Sequence, residues 1–235
     1  MDSVVSAPVA NGDFAADAAH FSAYWLDAKE RLSRLPPKPK RDPAAFDAAE
    51  AIKQSARDAR FTFLRRHART LYDRLTASRA KFVRIERLAY DAAEMLPGLV
   101  PTRAEVAAEA ELRQADKDGC EIDQGILFNQ FLADPESGLH LCHAMLLPRE
   151  ESADALAKFL RDGKLDLGFA RVERQGKAAV LQLANKRFLN SEDNSTQPAT
   201  EIAADVCILD PQSQVAVLRG DVVPEGKYAG RRIFN

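Results

Sequence analysis

Residues 178–235 read AAVLQLANKRFLNSEDNSTQPATEIAADVCILDPQSQVAVLRGDVVPEGKYAGRRIFN. Ala178 to Leu183 is an apolar run of strand length, and Asn185 to Asn194 is a polar turn. A helical patch then leads to Ile208-Leu209-Asp210-Pro211, and Gln214 to Gly220 is a second apolar run closed by glycine. Strand, turn, helix and strand in this order predict one βαβ unit. Pro198 must then occupy the first turn of the helix, where a missing N–H costs nothing.

The segment just upstream also has period two. Phe169 to Arg174 alternates, Gln175-Gly176-Lys177 supplies a turn, and the strand from Ala178 follows, so a hairpin with a half-exposed outer strand is expected. Earlier residues follow a period of 3.6. The change near residue 165 divides the chain into a mobile arm (1–13), a helical domain (14–164) and an α/β segment (165–235). The fold class is therefore α+β.

In the helical region, Phe14, Ala18, Phe21, Trp25, Leu26 and Leu32 share one face of a first helix, with Trp25 read as a packing anchor. Pro36, Pro37 and Pro39 stop it and form a stiff connector. Asp42-Pro43 is a capping acid followed by proline at the first helical position. From there Phe46, Ala49, Ile52, Ala56, Ala59, Phe63, His67, Leu71 and Leu75 keep one face for about 30 residues, a length that suits antiparallel helices packed side by side. A helix over 79–96 is expected next, with Phe82, Ile85, Ala89, Ala92 and Leu96 inside, ended by Pro97-Gly98. Thr102-Arg103-Ala104-Glu105 is a capping box that starts a helix running to about Ala115. Shorter helices follow up to Asp134, over 138–147 and over 150–161, the last closed by Gly163.

Composition excludes several classes. The 235 residues are 46% hydrophobic with a net charge of −2, enough apolar material for a core and no general attraction to nucleic acid or membranes. Cys120, Cys142 and Cys207 are odd in number and far apart, which argues for a reducing compartment and against disulfides or a zinc site. The N-terminus lacks the pattern of a secretory signal and no run spans a membrane, so a cytoplasmic protein is expected. Ten Lys/Arg face three Asp/Glu between Arg57 and Arg87. Without interleaved aromatics these read as a charged helix surface rather than a nucleic-acid face. His140 and His143 are one helical turn apart, yet no third ligand has a fixed spacing, so both are read as packed or partner-facing and no metal is expected.

The order AAVLQLA, NKRFLN, helix, LDPQSQVAVLRG and an IF-containing loop resembles the opening of the crotonase (enoyl-CoA hydratase) superfamily core. RLSRLPPKPKRD (31–42), FLRRHARTLYDRLT (63–76), PGLVPTRAEVAAE (97–109), QADKDGCEIDQGI (114–126), KRFLNSEDN (186–194), ILDP (208–211) and LRGDVV…YAGRRIF (218–234) resemble, more narrowly, its cofactor-independent aryl-acetyl-CoA dioxygenases. Their long helical domain ahead of the core distinguishes them from ordinary hydratases. The resemblance implies an acyl-CoA substrate, O2 as co-substrate, no metal or organic cofactor, and a trimer-based homo-oligomer.

It also implies roles. Lys186 and Arg187, in the strand-to-helix turn, would meet CoA phosphate. Glu192 matches the acid facing the acyl pocket and would act on the ring hydroxyls or the acidic C–H; as a plain helix-start acid it would be interchangeable with Asp193. Glu225, Gly226, Lys227 and Tyr228 would border the CoA channel. Arg231 and Arg232 would bind CoA phosphates or support the loop, and Phe234 would underlie the oxyanion turn. The family pattern continues past Asn235 with the oxyanion amides and oxygen pocket, so this chain is expected to be the start of a truncated crotonase-like core. Its missing partner would be the remaining C-terminal segment. A hydratase, isomerase or thioesterase of the same superfamily, and a non-catalytic helical or CoA-binding fragment, are the alternatives.

Overall fold

The structure is a computed structural model that describes residues 7–233. It divides into two compact units, 1–146 and 147–235.

The first unit is helical: α1 (Phe14–Ser33), α2 (Pro43–Leu75), α3 (Ile85–Met95), α4 (Arg103–Ala110), α5 (Glu121–Ala133) and α6 (Pro135–Leu146). The capping residues act as their sequence suggests. Asp42 accepts the Ala45 amide with Pro43 at the start of α2, and Thr102 and Glu105 close a reciprocal capping box on α4. Fully buried Phe21, Trp25 and Phe63 interlock at the α1–α2 contact, with ring centroids 5.4–5.6 Å apart. Tyr72 sets its ring edge-on to Phe131 of α5.

Three expectations shift. The helix predicted from Arg79 begins at Ile85, because Ala77, Ser78 and Arg79 adopt φ values of 51°, 55° and 67°, incompatible with a right-handed helix. Phe82 consequently lies outside the helix, exposed, and stacks on His140 at 4.6 Å. Phe46, on the predicted inner face of α2, is 41% exposed. Of the arm 1–13, residues 1–6 lie outside the described residues. Asn11 and Gly12 donate their amides to the buried carboxylate of Asp17, at 2.9 and 3.0 Å, and so fasten the chain to α1.

The basic run is largely paired. Arg69 and Arg79 both hold Glu136, and Arg87 faces Asp91. Arg60 is an exception to the surface reading: it is buried and donates to the Leu99 and Gly98 carbonyls at 2.6 and 2.9 Å.

The second unit contains α7 (Ser152–Asp162), β1 (Lys164–Asp166), β2 (Ala170–Gln175), β3 (Ala178–Leu183), α8 (Gln197–Leu209) and β4 (Val215–Gly220). The sheet order is β1-β2-β3-β4; the first two pairings are antiparallel, and β3 and β4 run parallel. The predicted hairpin and βαβ unit are therefore present, joined by the three-residue β1 that periodicity did not reveal. Phe159 of α7 and Val206 of α8 meet Leu165, Val172 and Leu181 in one core, which places both helices on one face of the sheet. Gly163 closes α7 in the left-handed conformation, as expected. The period changes at β1, but α7 belongs to the second unit because its apolar face is completed by the sheet.

Asp210 ends α8 and receives a two-pronged bond from Arg174 of β2, both contacts 2.9 Å. Its side chain is fully buried, so this pair fixes the helix to the hairpin. Strand β4 is different. Val215, Val217 and Leu218 are 54%, 41% and 50% exposed on the outer strand of the sheet.

Candidate functional site

The predicted site residues lie in the turn between β3 and α8 and in the loop after β4. The first turn is built by two asparagines. Asn185 accepts the Asn190 amide at 2.8 Å through its carbonyl and donates its side chain to the Ser191 carbonyl at 2.8 Å. Leu189 and Asn190 take φ values of 56° and 61°, a conformation asparagine tolerates better than most residues. Asn190 is fully buried and its Nδ2 donates to the carbonyls of Asp221 (2.9 Å) and Ile233 (2.8 Å). One side chain thus joins the turn to both ends of the 221–233 loop. Its Oδ1 is buried without a hydrogen-bond partner. Gly220 sits beneath this junction; a Cβ there would collide with the Ile233 carbonyl.

Asp221 is the electrostatic centre. Lys186 contacts it at 2.9 Å, Arg171 at 3.2 Å and Gln182 at 2.8 Å. Burial alone would raise its carboxyl pKa; bonds from Lys186, the Val222 amide and Gln182 outweigh this and hold it below the usual carboxylate range. Lys186 therefore serves to hold the loop. Arg187 is exposed, its guanidinium 5.2 Å from the Phe188 ring centroid.

Glu192 is exposed and has no hydrogen bond or ion pair among the described residues. The helix-start role falls to Asp193. Its Oδ1 accepts the Ser195 and Thr196 amides at 2.8 and 3.2 Å, and its carbonyl accepts Gln197 N–H at 3.0 Å. Two adjacent acids thus differ in use: one holds the backbone and the other is uncommitted.

The 221–233 loop folds back on itself. Val222 bridges Arg232, Val223 donates to the Arg231 carbonyl at 3.0 Å, and Gly230 donates to the Val223 carbonyl at 2.9 Å. Its tip carries Glu225, Gly226 and Lys227, all exposed, with Gly226 at φ 80° and the Lys227 ammonium 5.3 Å from the Tyr228 ring centroid. Arg231 is exposed beside the tip. Phe234 lies outside the described residues. The structure ties Lys186 to the loop through Asp221 and leaves Arg187, Glu192, the loop tip and Arg231 open to solvent.

Asn185, Asn190 and Asp221 were not among the predicted residues. The one signal available was the pair of asparagines bracketing KRFL, which suits a turn needing side-chain bonds and left-handed backbone. In the other unit, His140 accepts or donates to the Tyr72 hydroxyl at 2.8 Å and stacks on Phe82, a packing role. Among the described residues no three His, Cys, Asp or Glu side chains cluster as a metal site, and no helix is long and apolar enough to cross a membrane.

No protein-family model matches the chain. A curated enzyme does. The chain is similar to a dioxygenase. It is 41% identical over 205 residues to "(3,5-dihydroxyphenyl)acetyl-CoA 1,2-dioxygenase" of Amycolatopsis orientalis. The matched region is 87% of this chain and 47% of that dioxygenase, so the chain spans about half the length of the curated relative it matches. A match of 205 residues is longer than the 146-residue helical unit, so it extends into both units.

Proposed function

We propose that this chain is the N-terminal portion of a crotonase-fold dioxygenase that oxidises (3,5-dihydroxyphenyl)acetyl-CoA with O2, using neither metal nor organic cofactor. The observation that carries this reading is the 41% identity running through the helical unit as well as the βαβ segment. The helical part matters because a βαβ unit alone would fit many acyl-CoA enzymes.

The thioester is held with its carbonyl against backbone amides and loses a proton from the adjacent carbon. Amides aimed at the developing enolate lower that barrier by several kcal/mol, about 3 for one donor. The carbanion, delocalised into the dihydroxyphenyl ring, adds O2. One oxygen atom becomes the ketone and the other enters the carboxylate as the C–S bond breaks. ArCH2–CO–SCoA and O2 give ArCO–COOH and CoA–SH, so the four-electron oxidation of carbon matches the reduction of O2 and no further reductant is needed.

Glu192 is assigned to the acyl group, bonding the ring hydroxyls or acting on the acidic C–H, because it is uncommitted while Asp193 holds the turn that leads into α8. Arg187 and Arg231 are assigned to CoA phosphates, with Lys186 contributing from its place on Asp221. Glu225, Gly226, Lys227 and Tyr228 line the CoA approach. The remaining C-terminal segment completes the oxyanion hole and oxygen pocket and adds a strand beside β4, whose exposed apolar residues suit such a neighbour. The assembled enzyme is a cytoplasmic, trimer-based homo-oligomer.

The test is isotopic. The parent protein, supplied with 18O2 and the thioester, should form 3,5-dihydroxyphenylglyoxylate carrying both labelled atoms. Release of CoA with unlabelled 3,5-dihydroxyphenylacetate would make it a thioesterase instead.

A further inference from the structure

The helical unit contains a cavity that the proposed reaction does not use. It has a volume of about 440 Å³, within the range of about 300–1,000 Å³ typical of small-molecule sites. Its apolar wall comes from Trp25, Ala28 and Leu32 of α1 and from Ile52 and Ala56 of α2. Leu112, just after α4 and 49% exposed, stands at its edge.

The charges around it balance. Lys29, Arg41, Lys53, Arg57 and Arg60 meet Glu105, Glu109, Asp118 and Asp123 in the lining, and Lys53 also holds Glu50, so five positive groups face five negative ones. An ion of either sign would enter without a counter-charge left for it, and burying it would be costly.

The hydrogen-bonding groups do not balance. Each carboxylate oxygen of the lining already has a partner. Glu105 takes Lys29 on both oxygens at 2.9 Å, and Glu109 takes the Gly119 and Cys120 amides at 2.8 Å. Asp118 receives Arg41 at 2.6 and 2.8 Å, and Asp123 meets Arg57 and Arg60 at 3.4 and 3.0 Å. The groups still open are donors. Trp25 is fully buried, and its indole Nε1 has no hydrogen-bond partner among the described residues. Arg57 has five N–H bonds to place and makes only long contacts, to Asp123 and, at 3.2 Å, to the Gly119 carbonyl. A buried donor left unmade is destabilising, and an acceptor held in the cavity relieves it.

We infer that this cavity is a second small-molecule site, taking a neutral apolar carbonyl compound, a ketone or ester without N–H or O–H groups of its own. Its oxygen would accept from Trp25 Nε1 and its hydrocarbon part would lie along Leu32 and Ile52. Neutrality follows from the balanced charges, and the carbonyl from the surplus of donors.

Trp25 is the only tryptophan, so its indole N–H gives a single amide-type resonance that reports on this bond directly. The 15N-labelled 235-residue chain would be titrated with heptan-2-one and, separately, with hexanoate, which has the same hydrocarbon tail but a charged head. The ketone should displace the indole proton downfield and saturably, and hexanoate should bind at least about tenfold more weakly. Ala108→Phe, which adds a ring to the lining from an exposed position on α4, should remove the response with the far-ultraviolet circular dichroism unchanged. An indole resonance indifferent to the ketone would mean that the donor meets water only and would overturn the assignment. Equal affinity for ketone and carboxylate in the unaltered chain, or a response that survives in folded Ala108→Phe, would overturn it as well.

Discussion

At the residue scale, the site region turns on how three neighbouring polar side chains are spent. Asn190 is used twice as a donor and holds the turn to the loop; Asp193 is used on the start of α8; Glu192 is used on nothing. An exposed, uncommitted carboxylate is free to meet a ligand, which is the role proposed for Glu192. In the parent enzyme, Glu192→Gln should lower turnover at least tenfold while changing thioester affinity by less than about threefold, as for an interaction made chiefly in the transition state. Steady-state kinetics would check it, and unchanged turnover would return Glu192 to the solvated surface.

Asp221 gives a pH prediction. Its carboxyl is held below its unfolded value of about 3.9. The stability it contributes is therefore fully present above that value and is lost as the pH falls through the lower folded value. Thermal melting between pH 7 and pH 3 should fall more steeply for the unaltered chain than for Asp221→Asn. Parallel curves would mean the Lys186 contact contributes little. Cysteines offer a third check. Burial, followed by the Glu109 carboxylate, pushes the Cys120 thiol up to about 12, and burial pushes Cys207 up to about 11, whereas Cys142 is exposed. At pH 8 a thiol reagent should modify Cys142 first, and fast labelling at three sites would contradict the folded structure.

At the scale of elements, local chemistry was legible wherever it sufficed by itself. The Asp42-Pro43 cap, the Thr102–Glu105 box, the Gly163 stop and the β3–α8–β4 unit can all be read from neighbouring residues. What periodicity could not supply was anything set by distant partners. Strand β1 is three residues long and exists because it pairs with β2. The start of α3 was set by three left-handed residues with no glycine to announce them. Arg60 looked like one of ten surface cations, yet carbonyls from residues 98 and 99 draw it inside. The same limit hid Asn190 and Asp221, which are joined to each other across 31 residues of sequence, with Lys186 also far from Asp221. The open side of β4 carries the element-scale prediction. In the 235-residue chain, amides of Val215–Gly220 that point away from β3 should exchange quickly, and the added C-terminal segment should protect them. Full protection of β4 in the shorter chain would show that its edge is already covered.

At the scale of the whole molecule, the chain has two units with separate cores. The helical unit carries much of the similarity to the Amycolatopsis dioxygenase and a cavity of its own, while the α/β unit carries the turn and loop proposed to meet an acyl-CoA. The proposed function places substrate recognition in a parent protein whose α/β unit continues beyond this chain. The measurement closest to the central claim is oxygen consumption by that parent protein, stripped of metal by a chelator and supplied with (3,5-dihydroxyphenyl)acetyl-CoA. Uptake of one O2 per CoA released, unaffected by the chelator, is the expected result. Absence of uptake, or uptake abolished by chelation and restored by metal, would contradict it.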